Sequence, residues 1–227
     1  MQYKYIIILL FIISIYIIIY NFNYIELKPN FNSLNYNNFL IEPSSQNKYK
    51  LPSVLLYRIL NKTYLVNNLP DAQTAANILA KIMYLINYLI INIINENINI
   101  NDNKIYRNYI KKINDKLPYV IIVEAPLNYK YTSYSLNKGE KIVLCIRDKQ
   151  TLIIEDLNEL LYVAIHEIAH IGCPEIGHTN LFININKYLL RKAMCLGIYK
   201  YTDYFLNNKK YCGLMLTSTI LDNTFKC

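Results

Sequence analysis

The sequence has no tryptophan and little glycine, proline or alanine, while asparagine, isoleucine, lysine and tyrosine are heavily used. The favoured residues have A/T-rich codons, so a genomic bias accounts for the skew. The asparagine-rich stretch near 92–103 is therefore not read as prion-like. No tight block of Lys or Arg occurs beyond pairs such as Lys111-Lys112 and Lys209-Lys210. The formal charge of +8 thus describes a generally basic surface rather than a dedicated nucleic-acid patch. The five cysteines, at 145, 173, 195, 212 and 227, contain no CxxC and are odd in number. They read as ordinary thiols, which argues against a disulfide framework. No internal repeat is present. With 53% hydrophobic residues, wholesale disorder is also excluded.

Charge is missing altogether from Tyr5 to Tyr20, and only Ser14 interrupts the apolar run. A soluble helix would carry a polar face, so this segment is expected to meet a lipid bilayer. A helix of that length covers roughly 24 Å, somewhat short of a hydrocarbon core of ~30 Å. Tyr3, Phe22 and Tyr24 extend it into the interfacial zone, where aromatic rings are favoured. The run ends in Tyr-Asn-Phe-Asn-Tyr with no Ala-x-Ala pattern, so an uncleaved single-pass anchor over residues 1–22 is expected rather than a signal peptide. Residues 23–50, polar and broken by Pro29 and Pro43, read as a tether.

A folded domain is expected over 51–227. Pro70-Asp71 opens a helix in which Ala75, Ile78, Leu79, Ile82, Leu85, Ile86 and Leu89 recur at helical spacing, with Asp71 as its cap. A second helix is expected over 102–116. The period then changes: Tyr119–Val123, Tyr131–Leu136 and Lys141–Arg147 read as short strands, the last two joined by a turn at Asn137-Lys138-Gly139-Glu140. Helices follow over 156–171 and 180–196, the latter stopped by Gly197. Residues 198–227 carry no clear pattern.

The chemistry lies in the first of those two helices. His166 and His170 are four residues apart, which places both imidazoles on one face and within reach of one cation. Glu167 sits about 100° round from His166, where it can reach a water rather than the ion. Two ligands, a base one step away and an open position are what metal-assisted hydrolysis requires. The chain holds three histidines, and the third, His178, follows Gly172, Pro174 and Gly177, which can end the helix and turn the chain back. His178 is the expected third zinc ligand, with Thr179 capping the next helix. Glu175 is the alternative third ligand; Cys173 reads as a small packed residue. Asp156, Asn158 and Glu159 suit the positive end of the helix dipole. Tyr201, Tyr204 and Tyr211 are candidate donors to the substrate carbonyl.

The segments SYSLNKGEKIVLCIRD and LNELLYVAIHEIAHIGCPEIGHTNLF resemble the Wss1-like (WLM) and SprT-like metallopeptidase domains, in the versions carried by large nucleocytoplasmic DNA viruses. The resemblance spans about residues 115–215 and is most specific over His166–Phe182. It implies an α+β zincin-like domain, a small mixed sheet packed on the His-Glu-x-x-His helix. It also implies Zn2+ on His166, His170 and His178, with Glu167 as general base. The gap between the second and third histidines is eight residues here, against six in most Wss1-like proteins. The cellular relatives are soluble and DNA-associated. The sequence thus predicts a membrane-anchored zinc endopeptidase acting on a protein or peptide substrate at a host or virion membrane, with Lys141–Arg147 as an edge strand for that substrate. The alternatives are a non-catalytic viral protein with structural zinc, and a DNA-associated protease.

Overall fold

Val54–Ile59 (β1), whose side chains alternate exposed with half-buried up to buried Ile59, pairs with Lys62–Asn67 (β2), which buries Tyr64 and Val66, in an antiparallel hairpin at one margin of a five-stranded sheet. The computed structural model describes residues 54–59, 62–96, 101–128, 132–221, 225 and 227, without the side chains of 101–103. The expected anchor and tether, residues 1–22 and 23–50, lie outside the described residues.

After the hairpin, Ala72–Asn95 (α1) runs for 24 residues and buries a face that includes Leu79, Ile82, Met83, Ile86 and Ile90. At about 1.5–3 kcal/mol for each fully buried large aliphatic side chain, this face is a major part of the core. By length and composition α1 could also cross a membrane, but half of its most apolar window is buried within the fold. Asn101–Lys116 (α2) and a short 3-10 turn, Leu117–Tyr119, lead into Ile121–Glu124 (β3). Tyr134–Leu136 (β4) and Lys141–Leu144 (β5) follow, then Leu157–Gly172 (α3) and Asn180–Cys195 (α4). A separate hairpin, Lys209–Tyr211 (β6) with Leu214–Leu216 (β7), comes last.

The sheet order is β1-β2-β3-β5-β4, parallel across β2, β3 and β5 and antiparallel at both margins. The architecture is therefore α+β with a mixed sheet, and α3 packs between α2 and α4. Gly172, at the end of α3, permits that packing: a Cβ there would come within 3.0 Å of the Tyr109 carbonyl oxygen of α2. Its role is close approach rather than helix termination, which falls to Cys173 in extended backbone.

Three expectations are corrected. The segment 141–147 is not an edge strand: β5 is paired on both sides, and Ile142, Val143 and Leu144 are all buried, as a continuous apolar run in an interior strand should be. The edge is β4. Asp71 precedes α1 but makes no side-chain cap; its carboxylate goes to Arg147 Nη1 at 2.6 Å. Arg147 is itself buried and donates through Nε to Glu124 at 2.7 Å, so it is a core residue and not a substrate contact. Finally, four of the five cysteines form disulfides, Cys145–Cys212 and Cys195–Cys227, with Cα separations of 6.2 and 5.2 Å. Cys173 alone is free, and it is buried as expected. The pairs are 67 and 32 residues apart in sequence, so only tertiary proximity reveals them.

Candidate metal centre

The helix α3 starts where Asp156 accepts a hydrogen bond from the Asn158 amide at 2.8 Å. Its inner face buries Leu160, Leu161, Ala164, Ile165 and Ile168, which fixes the rotation of the helix. His166 and His170 are thereby turned together toward an open cleft of about 930 Å³. Glu159 in the first turn is buried rather than exposed to the dipole end. Burial, followed by the neighbouring Asp156, pushes its carboxyl above the ordinary range.

Beyond α3 the chain passes through Cys173–Gly177 and returns. Gly177 adopts a positive φ of 82°, a conformation open to glycine at no steric cost. Lys138, from the β4–β5 turn, holds the loop by donating its ammonium to the backbone carbonyls of Cys173, at 2.8 Å, and Glu175. The loop ends at His178, and Thr179 caps α4 by accepting from the Phe182 amide.

His166, His170 and His178 each offer a ring nitrogen, and these atoms lie within 4.8 Å of one another. His166 Nε2 and His178 Nε2 are 3.0 Å apart. Two nitrogens on a tetrahedral ion at Zn–N distances of ~2.0–2.1 Å would be about 3.3 Å apart, so the pair needs only a small opening. Phe182 stacks on His170 with centroids 4.0 Å apart and meets His166 edge-on at 4.9 Å. The histidines can thus hold a divalent cation against an apolar floor. Glu175 lines the cleft but is outside the group of converging donors, as is buried Cys173.

The electrostatics favour a cation. Burial, and then repulsion by His170 and His178, lower His166 from 6.5 to about 4. Burial, His178 and Lys138 bring His170 to about 4 as well. Both rings are therefore neutral, with lone pairs available, well below pH 7. Beside them Glu167, 5% exposed, is raised to about 7 by burial, against the opposing hydrogen bond from the Ser135 backbone of β4. Proton transfer is most efficient when the group's pKa lies near the working pH.

The far wall is the β6–β7 hairpin, with Leu214, Met215 and Leu216 facing the cleft. The Cys145–Cys212 disulfide ties this hairpin to the end of β5. Of the three candidate tyrosines, only Tyr211 reaches the cleft. Its hydroxyl is committed, donating to the Cys145 carbonyl at 2.7 Å and paired with Ser133 Oγ at 2.9 Å. Tyr204 is fully buried against Tyr162, and Tyr201 lines a different pocket, beside Asp156.

No family model matches the sequence. An uncharacterized protein, R325, of Acanthamoeba polyphaga mimivirus is 39% identical over 167 residues, 72% of this chain and 81% of the relative. The chain belongs to the family of that viral protein. Among solved structures, the crystal structure of Wss1 from Saccharomyces cerevisiae is similar at 17% identity, covering 58% of this chain and 87% of that one, with a TM-score of 0.44. A Wss1 mutant from the same yeast is similar at 22% identity over 44% and 88% of the two chains, with a TM-score of 0.31.

In this member of the viral family, sequence reasoning passed over Lys138, Ser135 and Asn186. Lys138 acts on backbone carbonyls of a distant segment and Ser135 through its own backbone, and neither leaves a local signal. Asn186 did leave one: it is a polar residue one turn beyond Phe182 on the buried face of α4.

Proposed function

We propose that the chain is a zinc-dependent endopeptidase with His166, His170 and His178 as ligands and Glu167 as general base. One observation carries this reading: three imidazoles converge at an open cleft with a buried carboxylate beside them, and among the described residues no carboxylate or thiolate joins the group. A structural site closes its fourth position, commonly with Cys, and among the described residues none is placed to do so.

When bound, zinc supplies Lewis acidity toward a water and the scissile carbonyl. The protein supplies the rest. Glu167 takes the proton that the attacking water sheds and passes it to the departing amine nitrogen. An extended substrate can add to β4, which is bonded on one side only and runs along the cleft. The uncharged run at 5–20 supports a single-pass anchor in a membrane, so the substrate is a protein or peptide close to a bilayer.

The test is zinc content and peptide cleavage by the full chain in detergent, alongside Glu167→Gln and His178→Ala. Glu167→Gln should keep its zinc and lose about 10²–10⁴-fold in rate; His178→Ala should lose zinc. Equal cleavage by the wild type and Glu167→Gln sinks the proposal.

A further inference from the structure

We propose that Asn186 is a positioning residue that fixes the ring tautomer of His166 a divalent ion requires, an inference that rests on the zinc reading above. Asn186 lies on α4, one turn beyond Phe182, and is 2% exposed. Its amide faces His166, with Nδ2 3.3 Å from Nδ1 of the ring, while its Oδ1 is buried without a partner. An amide's oxygen and nitrogen have nearly the same outline, so a half-turn about the terminal bond exchanges them with no movement of the backbone. Among the described residues no group bonds the oxygen where it stands, so the turn gives up no hydrogen bond of that oxygen.

A neutral imidazole carries one proton, and the amide decides where it sits. With Nδ2 toward the ring, His166 Nδ1 is the acceptor and the proton is on Nε2. That nitrogen then donates to His178 Nε2, 3.0 Å away, and cannot ligate. With Oδ1 toward the ring, the proton moves to Nδ1 and is accepted by the amide. The Nε2 lone pair is then left facing the gap between the three histidines. The two arrangements use the same atoms and differ in the amide's orientation and in which ring nitrogen of His166 carries the proton. An ion selects the second, and the amide then holds His166 both in tautomer and in ring rotation, as outer partners of metal-ligating histidines do.

The experiment uses the full chain in detergent micelles with zinc as probe. Long-range proton–nitrogen correlation spectra of the zinc-loaded wild type should place the His166 proton on Nδ1, downfield and slow to exchange, with Nε2 as the ligating atom. Asn186→Leu should bind zinc about 10–100-fold more weakly, and Asn186→Asp, which keeps the acceptor, should restore affinity to within a few-fold of wild type. Ligation of His166 through Nδ1, or Asn186→Leu affinity within twofold of wild type, overturns the proposal while leaving the zinc reading intact. A wild type that binds no zinc overturns both. If Asn186→Leu does not fold, the wild-type spectra decide alone.

Discussion

Two clusters of polar side chains lie at the two ends of the segment from β5 to α3, one centred on buried Arg147 and Glu124, the other on half-buried His166 and His170 with exposed His178 and buried Glu167, and they are built on opposite rules. In one, Arg147 donates to Glu124 and Asp71, Glu124 also accepts from the Asn67 amide at 2.7 Å, and the Asn67 side chain donates to the Ala125 carbonyl. Opposite charges meet, and most donors find acceptors. In the other, three histidines bring ring nitrogens toward one point, burial above all lowers the basicity of His166 and His170, and Glu167 beside them resists ionisation. The first cluster is charge-balanced by the chain itself, with only Arg147 Nη2 lacking a partner among the described residues, and joins β2, β3 and the start of α1. The second is left short of a positive charge. A buried group costs stability unless it is paired, so convergence without a partner marks where a ligand is expected.

The largest effect should come from breaking the charge-balanced cluster. Arg147→Met strands the Glu124 carboxylate in the core and should cost about 3–5 kcal/mol of unfolding free energy, read by denaturant titration. Zinc uptake by the protein that remains folded should be unchanged. A stability loss below about 1 kcal/mol would mean the charges are not mutually dependent.

A smaller effect should follow from loosening the histidine cluster without touching a ligand. Lys138→Met removes both bonds that hold the Cys173–Glu175 backbone, and with them the fixed approach of His178. Zinc affinity should fall by about tenfold, near the lower end for loss of an outer-sphere support, with little change in unfolding free energy. Unaltered affinity would show that the loop is set by Gly177 and Thr179 alone.

A third effect is the pH dependence of the metal-free fold. His166 and His170 titrate near 4 when folded and near 6.5 when unfolded, so the unfolded chain binds more protons in between. The stability they contribute is present above pH 6.5 and is lost as pH falls toward 4. Glu167, raised from 4.5 to about 7, acts in the opposite sense. Its contribution is full below pH 4.5 and is lost as pH rises through 7. Between 4.5 and 6.5 the net acid destabilisation should therefore be about one group's worth, not two. Glu167→Gln removes the opposing group and should steepen the loss on acidification of the chelated protein. Parallel stability–pH curves for the two proteins would contradict the buried setting assigned to Glu167.

Much of the architecture was legible because its signals are local. The apolar period along Ala75–Leu89, the glycine-bearing turn at 137–140 and the Thr179 cap each act over a single turn of chain. The β1–β2 hairpin was not legible: Val54–Arg58 alternates only exposed with half-buried positions before buried Ile59, and its pairing is set by a partner strand. The β6–β7 wall was equally hidden, because six short residues of strand draw their stability from a disulfide to Cys145 rather than from their own pattern. Odd numbers of cysteines look like free thiols until three dimensions show which one is left over.

By itself, the sequence determined that two histidines share a helical face with a glutamate one step round, since four-residue spacing does this wherever a helix forms. Only the tertiary structure decided that His178 returns to them, that β4 rather than β5 forms the open edge, and that Asn186 stands behind His166. Each of those depends on contacts between segments many residues apart, and the energy of such contacts is written in no single stretch of chain.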